Sequence, residues 1–221
     1  MFHPDDTPME RGWVGRVDGD RVLHLAAQTL QSFFLGGGQA REHAEYPLAH
    51  VTLLVPVLYP PTVRLFDTQE SFTFANTTAV AGPGAVVRGP ATPLTVLPRV
   101  AAVIGADEQI GGVSLLAEWR APGVPAPKDR DFALVLGPVV VTADELSPEG
   151  IELAVRVARD ERLREAAPPF DWERARLLAA SGTMLRPGDL LAAPAAGSVE
   201  AVSGAVELHG GGLGILEQTV A

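Results

Sequence analysis

Along this chain the apolar positions fall into short runs that alternate with polar ones and are broken by Gly and Pro. Residues 12–26 (G-W-V-G-R-V-D-G-D-R-V-L-H-L-A) alternate around Asp18-Gly19-Asp20. Asp-Gly suits a turn with positive φ, so the pattern predicts a β-hairpin. Residues 25–35 change to helical spacing, with Leu25, Leu30, Phe33 and Phe34 on one side and Gly36-Gly37-Gly38 as the stop. Residues 51–58 predict a strand, and Pro60-Pro61 marks a boundary or crossover. Beyond it, strands are predicted at 71–75, 85–87, 96–104, 113–119, 132–136, 139–142, 153–157, 206–208 and 214–220, with another after the Pro187-Gly188 turn. Residues 121–127 (A-P-G-V-P-A-P) exclude regular structure, and residues 159–165 read as a solvated connection. Residues 171–180 predict a helix capped by Asp171, with Trp172, Ala175, Leu178 and Ala179 turned inward.

The stretch that organises this pattern is residues 95–105, T-V-L-P-R-V-A-A-V-I-G, followed by the turn-like residues 106–109. It is continuously apolar and rich in β-branched residues, apart from Arg99. That is the signature of a strand buried on both faces. Many short strands, Gly/Pro turns and two helices predict a β-rich α+β fold. Its expected division is a small N-terminal β-rich domain over 1–60 and a main domain over 61–221.

Composition narrows the chemistry. The 221 residues suffice for a full hydrophobic core, and 47% apolar with 20% charged residues is an ordinary globular balance. A net charge of −10 argues against non-specific nucleic-acid binding, which relies on cations displacing counterions from phosphates. Without cysteine there are neither disulfides nor thiolate metal sites. The first eleven residues lack the apolar core of a signal peptide, and no run of about 18 apolar residues is present. A cytoplasmic protein with no membrane contact is the expectation. His43, Glu45 and His50 lack the spacing of a helical zinc pair and read as a solvated segment. The Gly36-Gly37-Gly38 triplet follows no strand and precedes no Lys-Ser/Thr, so it does not read as a phosphate cradle. Lys128 is the one lysine among 17 basic residues.

Several strings, in order, resemble the fumarylacetoacetate hydrolase family. The leading part carries G-R-V-D-G-D-R-V-L-H-L-A, A-R-E-H-A-E-Y-P-L-A and V-T-L-L-V-P-V. The remainder carries F-A-N-T-T-A-V-A-G-P-G, A-A-V-I-G, K-D-R-D-F-A-L-V-L-G-P-V-V-V-T-A-D-E-L, L-R-P-G-D-L-L and G-L-G-I-L-E-Q-T-V. The resemblance spans nearly the whole chain. It implies a mixed β-sheet roll, a homodimer, and hydrolase, decarboxylase or isomerase chemistry on small β-diketo or oxo acids. The family's cofactor is Mg, Mn or Ca held by carboxylates, where a cation stabilises the leaving enolate and a His–Glu pair activates water.

Carried over by position, that machinery is missing. The family's E-x-E carboxylates fall on Leu97 and Arg99, and its third carboxylate on Glu118. Leu97 and Arg99 offer no oxygen to a hard cation. Arg99 would repel one by about 4 kcal/mol per unit charge at ~4 Å and an effective dielectric near 20. The His-bearing segment is deleted near Glu70, Ser71 and Phe72, and the late Gly-Thr is replaced by Pro194-Ala195. Lys128 and Asp131 remain in the family's K-x-x-D-F context: Lys128 reads equally as a substrate contact or a surface lysine, and Asp131 as structural. Three functions stay open. One is a non-catalytic relative (a pseudoenzyme), homodimeric or an accessory subunit to a complete paralogue. The second is an active hydrolase or isomerase. The third is a metal-free module in which Arg99, Glu118 and Lys128 bind a small carboxylate through guanidinium pairing.

Overall fold

A computed structural model describes residues 1–146 and 148–221. The predicted central strand is Leu94–Ile104, and it returns through the turn Ala106–Glu108 as Ile110–Arg120. Asp107 and Glu108 adopt positive φ there, which tightens the reversal of the two long strands. Their antiparallel register sets Leu97 opposite Glu118 and Arg99 opposite Leu116.

This hairpin is the middle of a nine-stranded sheet. On one side follow Leu190–Ala192, Val63–Thr68 and Ser71–Phe74, and on the other Leu134–Leu136 and Val80–Ala81, with Val141–Thr142 and Val199–Ala201 pairing alongside. A second sheet orders Asp160–Ala166, Glu152–Val157, Gly204–Gly210, Gly214–Val220 and Ala85–Val87. Among the described residues three strand pairs are parallel and the rest antiparallel, the mixed, curled sheet expected of the roll. Before residue 60 lie a two-stranded sheet, Phe2–Pro4 with Val51–Leu53, and a three-stranded one, Gly15–Asp18, Arg21–Leu25 and Glu42–Pro47.

Side chains alternate across a strand, so the long hairpin presents two faces. Val96, Val100, Ala102 and Ile104 point with Leu115, Ala117 and Trp119 into the larger core beneath the second sheet. Ala101, Val103 and Leu116 point the other way, into a smaller core with Val63, Leu65, Leu190 and Phe34. Residues 97, 99 and 118 share the parity of this second face.

Four local expectations are corrected. The first helix is Leu30–Leu35, not 25–35: Leu25 ends the preceding strand, and Thr29 caps the helix reciprocally with Ser32. Only Val51–Leu53 of residues 51–58 is strand, because Pro56 has no N–H for a ladder. Residues 159–165 are largely an edge strand, Asp160–Ala166, hairpinned to Glu152–Val157 through Ala158 and Arg159, both at positive φ. An edge strand wet along most of its length shows no apolar alternation to read. In the helix Trp172–Ala180, Leu178 is exposed and Arg176 takes the inward place, bonded to Glu173. The strand Val63–Thr68 carried no recognisable signal because Arg64 and Phe66 are buried as well as Val63 and Leu65.

Two predictions follow from the packing. A Cβ on Gly112 would lie 2.5 Å from the Val141 carbonyl oxygen, a backbone atom held by the sheet. Gly112→Ala is expected to cost about 1–3 kcal/mol, read as a lower urea midpoint at unchanged slope. In the N-terminal sheet the His24 ring stacks on Trp13 at 4.6 Å, with the His43 ring 5.4 Å away. Burial, and secondarily the charge of His43, hold His24 below its ordinary value of 6.5. The unfolded chain therefore binds this proton first, and stability falls as pH drops below 6.5 toward the folded pKa. His24→Phe is expected to shrink the stability loss measured between about pH 7.5 and about pH 5.

Candidate functional site

Register brings the three positions of interest together. Leu97 and Arg99 are two apart on one strand and so face the same way, and Glu118 stands directly across from Leu97 on the next. Arg99 is 1% exposed and Glu118 is fully buried. A charged residue in such a place must be paired and hydrogen-bonded to persist.

Arg99 is both. Its Nε donates to Glu118 Oε2 at 2.7 Å, and Nη2 lies 2.7 Å from the same oxygen. Nη1 donates to the Phe66 and Ala193 carbonyl oxygens at 2.7 and 2.8 Å. Nη2 also donates to Asp67 Oδ1 at 3.0 Å. Four of the five guanidinium N–H groups thus donate hydrogen bonds, and the Nη2–Glu118 contact adds an ion pair to them. Glu118 in turn accepts from Arg120 Nε on Oε1 at 2.6 Å, and Arg120 Nη2 reaches Asp67 Oδ1 at 3.6 Å. Burial opposes the charge on Arg120, but the Glu118 bond and the Glu118, Asp67 and Asp129 charges outweigh it, and its pKa rises. The cluster thus holds two cations and two carboxylates.

Asp67 and Arg120 were not singled out in the sequence. Asp67 follows Leu65 at the two-residue spacing that puts both on this face, but that signal depended on recognising the strand Val63–Thr68. A second buried cluster, also unforeseen, ties that strand to the next. Arg64 lies 3.6 Å from Asp189, and Thr62 Oγ1 donates to Asp189 at 2.7 Å. The Arg64 guanidinium sits over the Phe72 and Phe74 rings at 5.6 and 5.2 Å.

Lys128 is not gathered with Arg99 and Glu118. It stands exposed on the Pro-rich loop and pairs with Asp131 at 2.7 Å, while the Asp131 carbonyl accepts from Asn76. Where the deleted segment would begin, the strands Val63–Thr68 and Ser71–Phe74 are joined by a tight turn at Gln69 and Glu70. Gln69 then bonds both the N–H and the carbonyl of Asp171, latching the turn to the start of the second helix. Histidine is absent from the partners of Arg99 and Glu118 among the described residues.

The set Leu97, Arg99 and Glu118 does not fit a divalent cation. One position is apolar, one is itself a cation, and both oxygens of the third are taken by guanidinium groups. Elsewhere, a cleft of about 1160 Å³ opens between the N-terminal strands, the first helix and the turn end of the long hairpin. Phe2, Phe33, Ile110 and Val141 are among its walls, together with Asp144 and Glu145. It reaches the hairpin at Gly105 and Ile110, roughly 20 Å along the strand from Arg99 at ~3.3 Å per residue.

Solved structures match this architecture end to end. The maleylpyruvate hydrolase from Sphingobium sp. SYK-6 superposes with a TM-score of 0.77 at 22% identity, covering 96% of this chain and 97% of that one. That hydrolase has also been solved in complex with manganese(II) ion and pyruvate. The fumarylacetoacetate hydrolase from psychrophilic Exiguobacterium antarcticum gives a TM-score of 0.80 at 18% identity, covering 95% of each chain. The 5-carboxymethyl-2-hydroxymuconate delta-isomerase from Mycobacterium smegmatis gives 0.74 at 22% identity, covering 95% and 94%. No protein-family model and no curated protein sequence matches the chain. The fold is therefore that of the fumarylacetoacetate hydrolases, carried by structure at low sequence identity.

Removing the charge of Glu118 leaves Arg99 buried with its main partner neutralised. Glu118→Gln is expected to destabilise the protein by about 3–5 kcal/mol, and chemical denaturation followed by circular dichroism measures it.

Proposed function

We propose that this protein is a non-catalytic relative of the fumarylacetoacetate hydrolases, acting in the cytoplasm as a partner or accessory subunit. It would do so as a homodimer or beside a complete paralogue. The observation that carries this reading is Arg99. A buried guanidinium held by four hydrogen bonds to protein oxygens stands on the strand face where the resemblance puts a metal carboxylate. Metal-assisted chemistry on a 1,3-dicarbonyl needs a cation with open coordination positions to take up enolate charge. Arg99 carries the charge, but it is 1% exposed and bonded to protein oxygens, so it is not open to a substrate oxygen. A fold can outlast the site it once carried, because function depends on the site and not on the scaffold.

The hydrolase and isomerase neighbours favour a second reading, an active enzyme on a small oxo acid, since the likeness covers nearly the full length of each. A carboxylate-binding module built on Arg99, Glu118 and Lys128 has less support. A guest carboxylate at Arg99 would have to displace Glu118, and Lys128 is engaged elsewhere by Asp131. Among the described residues, no helix is long and apolar enough to cross a membrane.

Calorimetric titration with Mn, Mg and Ca, followed by turnover assays on acylpyruvates and other oxo acids, separates the first two readings. No heat at millimolar metal, no turnover above the uncatalysed rate, and a stoichiometric partner on purification from the native host are expected. Mn-dependent turnover would overturn the proposal.

A further inference from the structure

We infer that the oxygens around Arg99 form a cation cradle whose occupant is supplied by the chain itself. Four oxygens converge on one guanidinium from three separate segments: Glu118 Oε2, Asp67 Oδ1, the Phe66 carbonyl and the Ala193 carbonyl, all within 3.0 Å of a guanidinium nitrogen. Two are carboxylate and two are backbone carbonyl, the mixture that hard cations prefer. The carbonyls come from the strand Val63–Thr68 and from the residue after Leu190–Ala192, and Glu118 comes from the long hairpin. Arg99 therefore cross-links four strands of the nine-stranded sheet at once, as a structural metal ion would.

Electrostatics gives the cradle its selectivity for a cation. With the Arg99 side chain removed, Glu118 and Asp67 carry two negative charges against the single positive charge of Arg120. Glu118 is fully buried, so that excess sits partly in low dielectric and cannot be satisfied by water as it would be at a surface. The two inward-facing carbonyls lose their donor as well. The vacated space is shaped for a planar guanidinium and lined by donors acceptable to Ca²⁺, which tolerates irregular oxygen geometry better than Mg²⁺ does. This inference concerns what holds the sheet together, and it stands whether or not the protein catalyses a reaction.

Arg99→Ala and Arg99→Lys, compared with the wild type in thermal unfolding, test it. The wild-type melting temperature is expected to be indifferent to millimolar CaCl₂ and to millimolar guanidinium chloride. Arg99→Ala is expected to melt on the order of 10 °C lower and to regain part of that shift with either cation, but not with NaCl or tetramethylammonium at equal ionic strength. Adding Glu118→Gln to Arg99→Ala is expected to abolish the cation-dependent gain. Arg99→Lys retains the charge with fewer donors, and it is expected to melt above Arg99→Met, which has similar bulk and no charge. If Arg99→Ala does not fold under any condition, the Lys-against-Met order decides alone. Equal melting of those two, or an Arg99→Ala protein that folds and responds to no cation, would overturn the inference.

Discussion

The structure turns on one buried charge. Arg99 lies in the middle of a long and almost wholly buried strand, where an unpaired guanidinium would be untenable, and oxygens from three neighbouring segments satisfy it. An isolated ion pair at about 4 Å gains only about 4 kcal/mol at an effective dielectric near 20, against a desolvation cost of several kcal/mol per ion. The balance is recovered by density of bonds. Glu118 is shared with Arg120, Asp67 is half-exposed and keeps some contact with water, and two carbonyls accept from Nη1. Such a cluster specifies geometry strongly, because moving any one segment orphans a buried polar group.

That constraint explains the course of the surrounding chain. The Phe66 carbonyl and Asp67 must reach Arg99, which places the strand Val63–Thr68 beside Leu190–Ala192 and leaves little slack before it turns back at Gln69. The Arg64–Asp189 pair fixes the same two strands from the other end. The buried Arg64–Asp189 pair and the bonds of Arg99 to Phe66, Asp67 and Ala193 thus oppose slippage at this junction, where a shift of one residue would exchange the faces of the strand.

The opposite end of the long hairpin is built differently. There the face shared with Arg99 continues as Ala101 and Val103, and the packing is of small side chains and close backbones, with Phe34 against Gly111. The large cleft belongs to this end and is separated from the charged cluster by the length of the strand. The cleft has charged residues of its own, Arg16, Asp144 and Glu145, distinct from the Arg99 cluster.

Much of this was legible in the amino-acid sequence. The central strand, its return, the hairpin at Asp18-Gly19, the second helix and its Asp171 cap are set by local propensity and by the period of apolar residues, which act over a few residues. The ordered strings carried the fold and singled out Leu97, Arg99 and Glu118, while the strand register set Glu118 across from Leu97. The tertiary structure decided what those residues do. Asp67, Phe66 and Ala193 lie 32, 33 and 94 positions from Arg99, and nothing local records that their oxygens meet its guanidinium. Edge strands such as Asp160–Ala166, and buried ones carrying an arginine such as Val63–Thr68, were likewise hidden. Their pattern is written by the neighbours they pair with and not by their own periodicity. A sequence states which groups a chain possesses, but the charge balance of a buried site depends on which distant segments fold against it.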